Sequence, residues 1–252
     1  MENKTYNSNM IKKFIFRLDF ISDIEQLKEG IPDNLTSKIV ENFPNSIMTD
    51  VVESKIEIKP NNEIQKNDKP FKQWEYISKD AKNKIVITPK TLLYDCSNYI
   101  SFKDVLSKFE YIINEILKLG NVQIGRLGIR YVNIFEPKDF NINDANEWGE
   151  YFEPKLLSYY HFFDKKQDVT NMLNSIEYTF GDFRIKYKSG FNNKNYPLKI
   201  SKPDFIIDCD GYSNAIITSI DDLKALIDSI HSQIEILFEN SITEKMRDKL
   251  NG

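Results

Sequence analysis

Arg17, Arg126, Arg130, Arg184 and Arg247 are the five arginines among 34 basic residues, and four of them fall in segments with strand-like alternation. Such placement is selective in a lysine-rich chain. A guanidinium presents a planar, five-donor fork that binds phosphate or carboxylate bidentately, which an ammonium group does not. The densest segment is Gly125-Arg126-Leu127-Gly128-Ile129-Arg130-Tyr131-Val132-Asn133. In a strand, Arg126, Gly128 and Arg130 share one face while Leu127, Ile129 and Tyr131 share the other. Two guanidinium groups then flank a gap left by glycine, the geometry of an anion cradle. The expected ligand-binding residues are Arg17, Arg126, Arg130 and Asn133. In the competing structural role, the same arginines neutralise acids such as Asp19, Asp95 and Asp208 on neighbouring strands.

Catalytic chemistry has thinner support. Asp50 followed by Glu57-Ile58-Lys59 matches the Asp...Glu-x-Lys arrangement of magnesium-dependent nucleases, in which two carboxylates hold the metal and the lysine orients water. Alternating charge on an exposed strand gives the same pattern, so Asp50, Glu57 and Lys59 form the alternative catalytic set. Lys55-Ile56-Glu57-Ile58-Lys59 lacks the first glutamate of a triphosphate-tunnel strand, because Lys55 occupies that position. Asp208 and Asp210 before Gly211 read as a strand entering a turn. Cys96 and Cys209 stand at corresponding places in the two halves and read as packing residues, and His161 and His231 read as packed or capping residues. No Walker loop, Gly-x-Gly-x-x-Gly, Gly-x-Ser-x-Gly or Cys-x-x-Cys occurs. No metal and no cofactor is expected.

The elements that must position these residues follow from periodicity. Phe14, Phe16, Leu18 and Phe20 alternate with Ile15, Arg17, Asp19 and Ile21, which predicts a strand with one aromatic face. A short helix is expected after Asp33, ending at Pro44, and strands at residues 48–59, 71–79 and 84–94, with a polar, mobile gap over residues 60–70. Ser101, with Asp104 three residues on, opens a helix whose stripe runs from Phe102 to Leu117 and which Gly120 ends. The second half repeats this order: a strand at residues 122–135, a helix near 144–160 broken at Pro154, strands at 174–180, 183–188 and 205–209, and a long helix from Ser219 with Asp222 at the capping position. Ser241 with Glu244 marks a final restart.

Phe16-Arg17-Leu18 matches Ile129-Arg130-Tyr131, and Tyr94-Asp95-Cys96 matches Ile207-Asp208-Cys209, both at an offset of 113 residues. The fold class expected is therefore α+β: two fused strand-helix-three-strands-helix repeats, residues 1–120 and 121–252, sharing a curved antiparallel sheet with helices on one face. The composition fits a globular domain of this size. The 252 residues are 40% hydrophobic and 13% aromatic, which excludes general disorder. No apolar run approaches the roughly 18 residues of a membrane span, and the polar start, residues 1–13, lacks a secretory signal, so a cytoplasmic location without membrane contact is expected. Two cysteines exclude a disulfide framework, and a net charge of -4 argues against a chain coated in phosphate-binding charge.

Through Gly128-Ile129-Arg130-Tyr131-Val132-Asn133, the sequence resembles a family of uncharacterised prokaryotic proteins of about this length, sporadically distributed among genomes. Their signature is a Gly-x-Arg-Tyr-[Ile/Val]-Asn strand. The resemblance extends over Phe43-Pro44, the aromatic strand around Trp74, and His231, Ile234 and Phe238 of the last long helix, which runs on into Ile242-Thr243-Glu244. The stretch Ile85 to Lys90 departs from the Gln- or Asn-containing strand of that family. No established activity comes with the resemblance. Its sporadic distribution implies carriage on mobile, antiviral-defence or toxin-antitoxin-like cargo. Because no motif argues strongly for catalysis, the function expected is that of a non-enzymatic binding subunit in such a system, with a protein partner encoded nearby, or a nucleic acid or phosphorylated small molecule as ligand.

Overall fold

A computed structural model of the chain describes residues 6–60 and 64–252. It is α+β, built on one antiparallel sheet of nine strands in the order β2-β3-β4-β5-β1-β6-β9-β8-β7. The N-terminal half supplies β1 (Ile11–Phe20), α1 (Gln26–Glu29), α2 (Asp33–Asn42), β2 (Asn45–Ile58), β3 (Ile64–Ile77), β4 (Asn83–Ile87), β5 (Thr91–Cys96) and α3 (Phe102–Leu117). The C-terminal half supplies β6 (Ile124–Phe135), α4 (Pro137–Phe140), α5 (Ser158–Phe162), β7 (Met172–Phe180), β8 (Phe183–Asn192), β9 (Asp204–Ser213), α6 (Ile220–Glu239) and α7 (Glu244–Asn251).

Alternation decides which face of the sheet is covered. Phe14, Phe16, Leu18 and Phe20 of β1 are buried with Leu92 and Tyr94 of β5 and with Leu127, Ile129 and Tyr131 of β6. Against them pack Leu35 and Ile39 of α2, Phe109 and Ile112 of α3, and Leu223, Ile227 and Ile230 of α6. The Phe109 ring meets Phe16 edge-on at 5.0 Å and stacks on Tyr94. Each large side chain removed from water contributes about 2 kcal/mol. Gly211 lets α6 close on β9: a Cβ there would lie 2.4 Å from Ile230 Cγ2. The Ser101 and Ser219 hydroxyls accept from the backbone N–H of Asp104 and Asp222, as the capping signals predict. The opposite face of the central strands, carrying Arg17, Asp19, Arg126, Arg130 and Asp210, has no helix over it.

Several boundaries differ from expectation. Residues 84–94 form two strands, because Thr88 Oγ1 accepts from the N–H groups of Lys90 and Thr91 and turns the chain at Pro89. The expected gap at 60–70 is strand from Ile64 onward, since β3 pairs with β2 from Ile58↔Ile64 to Asn45↔Ile77; residues 61–63 lie outside the described part. The region 144–160 is not one helix but two 3₁₀ turns, Ala145–Glu150 and Pro154–Leu157, followed by the short α5. The N-terminal half thus has four strands after its first helices instead of three, while the C-terminal half keeps the order strand-helix-three-strands-helix with several short helices in place of one.

Strand order is symmetrical about the central β1–β6 pair, with β5, β4 and β3 on one side answering β9, β8 and β7 on the other. Phe16 lies directly opposite Ile129, as the offset of 113 requires of a two-fold arrangement. The same offset fails at the next strands. Phe16 pairs with Tyr94 but Ile129 pairs with Gly211, four residues beyond the position that the offset assigns. One offset therefore does not relate the two halves, and the sheet runs continuously across residues 120 and 121.

Candidate functional site

The arginine strand occupies the centre of the sheet, and its side chains divide between the two faces. Arg126, Gly128 and Arg130 lie on the open face, beside Arg17 of β1. Gly128 pairs with Arg17 on one side and Tyr212 on the other, and a Cβ built on it would meet nothing nearer than Arg17 Cβ at 4.0 Å, so the expected gap exists. The guanidinium groups beside it are engaged. Arg130 donates two hydrogen bonds of 2.8 Å from Nε and Nη2 to the Asp208 carboxylate of β9. Lys188 Nζ stands 3.7 Å from the same carboxylate, and burial leaves Asp208 only 9% exposed. The Arg130 pKa rises above its ordinary value, chiefly through the hydrogen bonds it donates to Asp208. Arg17 donates along its own strand to Asp19, from Nε at 2.9 Å, and Asp19 also accepts from Thr91 Oγ1. Arg126 lies over the Tyr212 ring at 5.4 Å. Asp95, the third acid considered as a partner, pairs with Lys13 rather than with an arginine.

Asn133 is separated from this group. It stands three residues from Arg130 in one strand, so it points to the helix-covered face, where it is buried and its Nδ2 donates to the Ile207 carbonyl at 3.4 Å. Arg17, Arg126, Arg130 and Asn133 do not converge on one ligand.

The alternative catalytic set also fails to assemble. Asp50 and Glu57 both belong to β2 but lie seven residues apart, so their carboxylates point to opposite faces and stand about 23 Å apart along the strand. Glu57 is held by Lys55 at 2.5 Å, which lowers its pKa. Among the described residues no cluster of three or more His, Cys, Asp or Glu side chains is placed to hold a metal ion.

A cavity of about 1000 Å³ opens on the helix-covered face, between the start of α3, the C-terminal half of α6, α7 and the segment Tyr6–Ile11. Its floor is Tyr131 and Asn133 of β6 with Cys209 of β9, and aromatic rings of Tyr6, Tyr99, Phe102 and Phe238 line its walls. The Tyr131 hydroxyl lies 3.0 Å from His231 Nδ1, and His231 Nε2 lies 3.3 Å from Glu235 Oε1, one turn further along α6. Phe102 stacks on the imidazole with ring centroids 3.7 Å apart. The phenol pKa values of Tyr99 and Tyr131 are both driven upward, first by burial and also by the Glu235 charge. Burial likewise pushes the Cys209 thiol up to about 12, so it stays protonated at neutral pH and is no nucleophile despite sharing the cavity with His231. Sequence reasoning placed His231 in the core and overlooked its neighbours. The one local signal was the spacing of His231 and Glu235, four residues apart on a helix.

No family model matches this chain, and no curated protein is similar to it.

Proposed function

We propose that this chain is a non-enzymatic interaction subunit that recognises a protein partner through the β2–β3 arm. The observation that supports this reading is the arm itself. Only residues 74–77 of β3 pair with β4, so Val51–Ile58 and Ile64–Phe71 continue past the body of the sheet as a two-stranded ribbon about 25 Å long. Met48, Val52, Ile56, Ile58 and Ile64 are each more than half exposed. Their registers with Trp74, Pro70 and Lys66 put them on the face continuous with Tyr76, the same face that helices cover elsewhere. Exposed apolar residues in one row on an edge hairpin need a cover.

The occupant is an extended segment of a partner protein that adds as a strand beside β2, the edge of the sheet. Between Asn45 and Ile58 this edge carries Asp50, Glu53 and Glu57 against Lys55 alone, so the matching strand is apolar with flanking lysine or arginine. A partner encoded beside this gene, in a defence or mobile-element setting, is the candidate that the family resemblance supplies. Co-expression with that product followed by gel filtration tests the reading. A complex should form with the wild type and with Glu57→Gln and should be lost with the Val52→Asp/Ile56→Asp pair. Survival of the complex in that pair, or self-association in its place, overturns the proposal. Magnesium-dependent cleavage of nucleic acid that Glu57→Gln abolishes would overturn it in favour of a nuclease.

A further inference from the structure

The cavity beside α6 is independent of the arm, and its lining carries Glu235 and Glu239 against Lys103 and Arg247. Glu239 is matched by Arg247, which donates to it from Nε at 3.1 Å and also bonds Glu244. The Tyr6 hydroxyl donates to Glu239 as well. Glu235 is different. Its polar contact among the described residues is His231 Nε2, and its side chain, which lines the cavity, is 33% exposed. Tyr131 occupies the other imidazole nitrogen, so His231 is held at both edges. Lys103 lines the same cavity but forms no ion pair with Glu235. Tyr6, Tyr99 and Phe238 line the same cavity, with π faces that carry partial negative charge, while Phe102 and Tyr131 stack on the His231 imidazole.

We propose that this cavity binds a small organic cation with an apolar or aromatic body, its charged nitrogen received by Glu235 and its body held among the aromatic walls. A carboxylate and several ring faces act in the same direction on a cation and against an anion. The volume is of the size that takes a small organic molecule, with mostly apolar lining and few convergent polar groups. Asn133 on the floor donates to the Ile207 carbonyl, so its side-chain oxygen is an acceptor available to a second N–H of the ligand.

Phenethylamine, 2-phenylethanol and phenylacetate share one body and differ in the charge of the head group. Calorimetric titration of the full chain at pH 7 with each of them tests the inference. The amine should bind at least tenfold more tightly than the alcohol, and the carboxylate should bind least. Glu235→Gln keeps the shape and a contact to His231 but removes the charge, and it should bring the amine to the affinity of the alcohol. Equal affinity for amine and alcohol, absence of amine binding, or preference for phenylacetate would each overturn the proposal. The three-probe comparison on the wild type stands without any variant, and a Glu235→Gln protein that binds the amine unchanged would also refute it.

Discussion

Arg17 and Arg130 sit in adjacent central strands at matching places in the two halves, yet they are neutralised in different ways. Arg17 turns along its own strand to Asp19, and both groups remain partly in water, with side chains 49% and 22% exposed. Arg130 reaches across to Asp208, whose side chain is only 9% exposed. Register explains the difference. Arg17 stands opposite Leu93, with Asp95 one side-chain step away beside Ile15 and paired with Lys13, whereas Arg130 stands opposite Asp210 with Asp208 one step away in the other direction, beside Val132. The four-residue displacement of β9 relative to β5 thus changes an exposed local pair into a part-buried cross-strand one. Equivalent sequence positions need not carry equivalent interactions when the neighbouring strand has slipped.

The comparison is broken most directly by truncating each arginine. Arg130→Ala leaves Asp208 buried with Lys188 at 3.7 Å to balance it, and because the Arg130 side chain is 38% exposed the loss should be about 1–3 kcal/mol, below that for a fully buried pair. Arg17→Ala removes an exposed pair and should cost about 0–1 kcal/mol, with Asp19 still bonded to Thr91. Urea denaturation at pH 7 measures both. Equal losses would mean that register does not separate the two roles. A wild-type melting temperature that rises with added phosphate, and an Arg130→Ala protein that keeps its stability but loses this response, would instead restore the anion cradle.

The same register accounts for what could be read in advance. Strands with one buried face, such as β1 and β6, announce themselves by alternation, and Ser101 and Ser219 mark helix starts because the cap is a local interaction. The split between β4 and β5 was hidden because Ile85, Ile87, Leu92 and Tyr94 remain apolar on both sides of a three-residue turn made by the Thr88 hydroxyl. The arm was hidden for the opposite reason: Lys66, Asp68 and Lys69 look like a loop, and β2 pairing rather than burial makes them strand. At the site, alternation correctly put Arg126 and Arg130 together, and it also put Asn133 on the other face. The cavity could not be read because Tyr99, Tyr131 and the His231–Glu235 pair of α6 come from separate segments that meet only once α3 and α6 have packed on the sheet.

A smaller effect sharpens the contrast between halves at the residue opposite Arg130. Asp210 has no counterpart beside Arg17, where Leu93 stands instead. Its pKa is raised, first by burial and further by the neighbouring Asp208, against the opposing pull of Arg130, Arg126 and Lys188. Arg130 is committed to Asp208, so its attraction for Asp210 does not compensate the loss of water. An acid whose pKa is higher in the folded chain than in the unfolded one binds its proton more tightly when folded. Its contribution to stability is complete below the ordinary aspartate value of about 3.9 and is lost as pH rises through the folded value. Asp210→Asn removes the titration while keeping the shape. The variant should therefore melt above the wild type at pH 7, by less than the Arg130→Ala loss, and the gap should narrow as pH falls below about 4. Melting curves of the two proteins from pH 3 to pH 8 decide it. A variant that melts below the wild type at pH 7 would show that the arginines outweigh burial, and would make Asp210 a second anchor for Arg130.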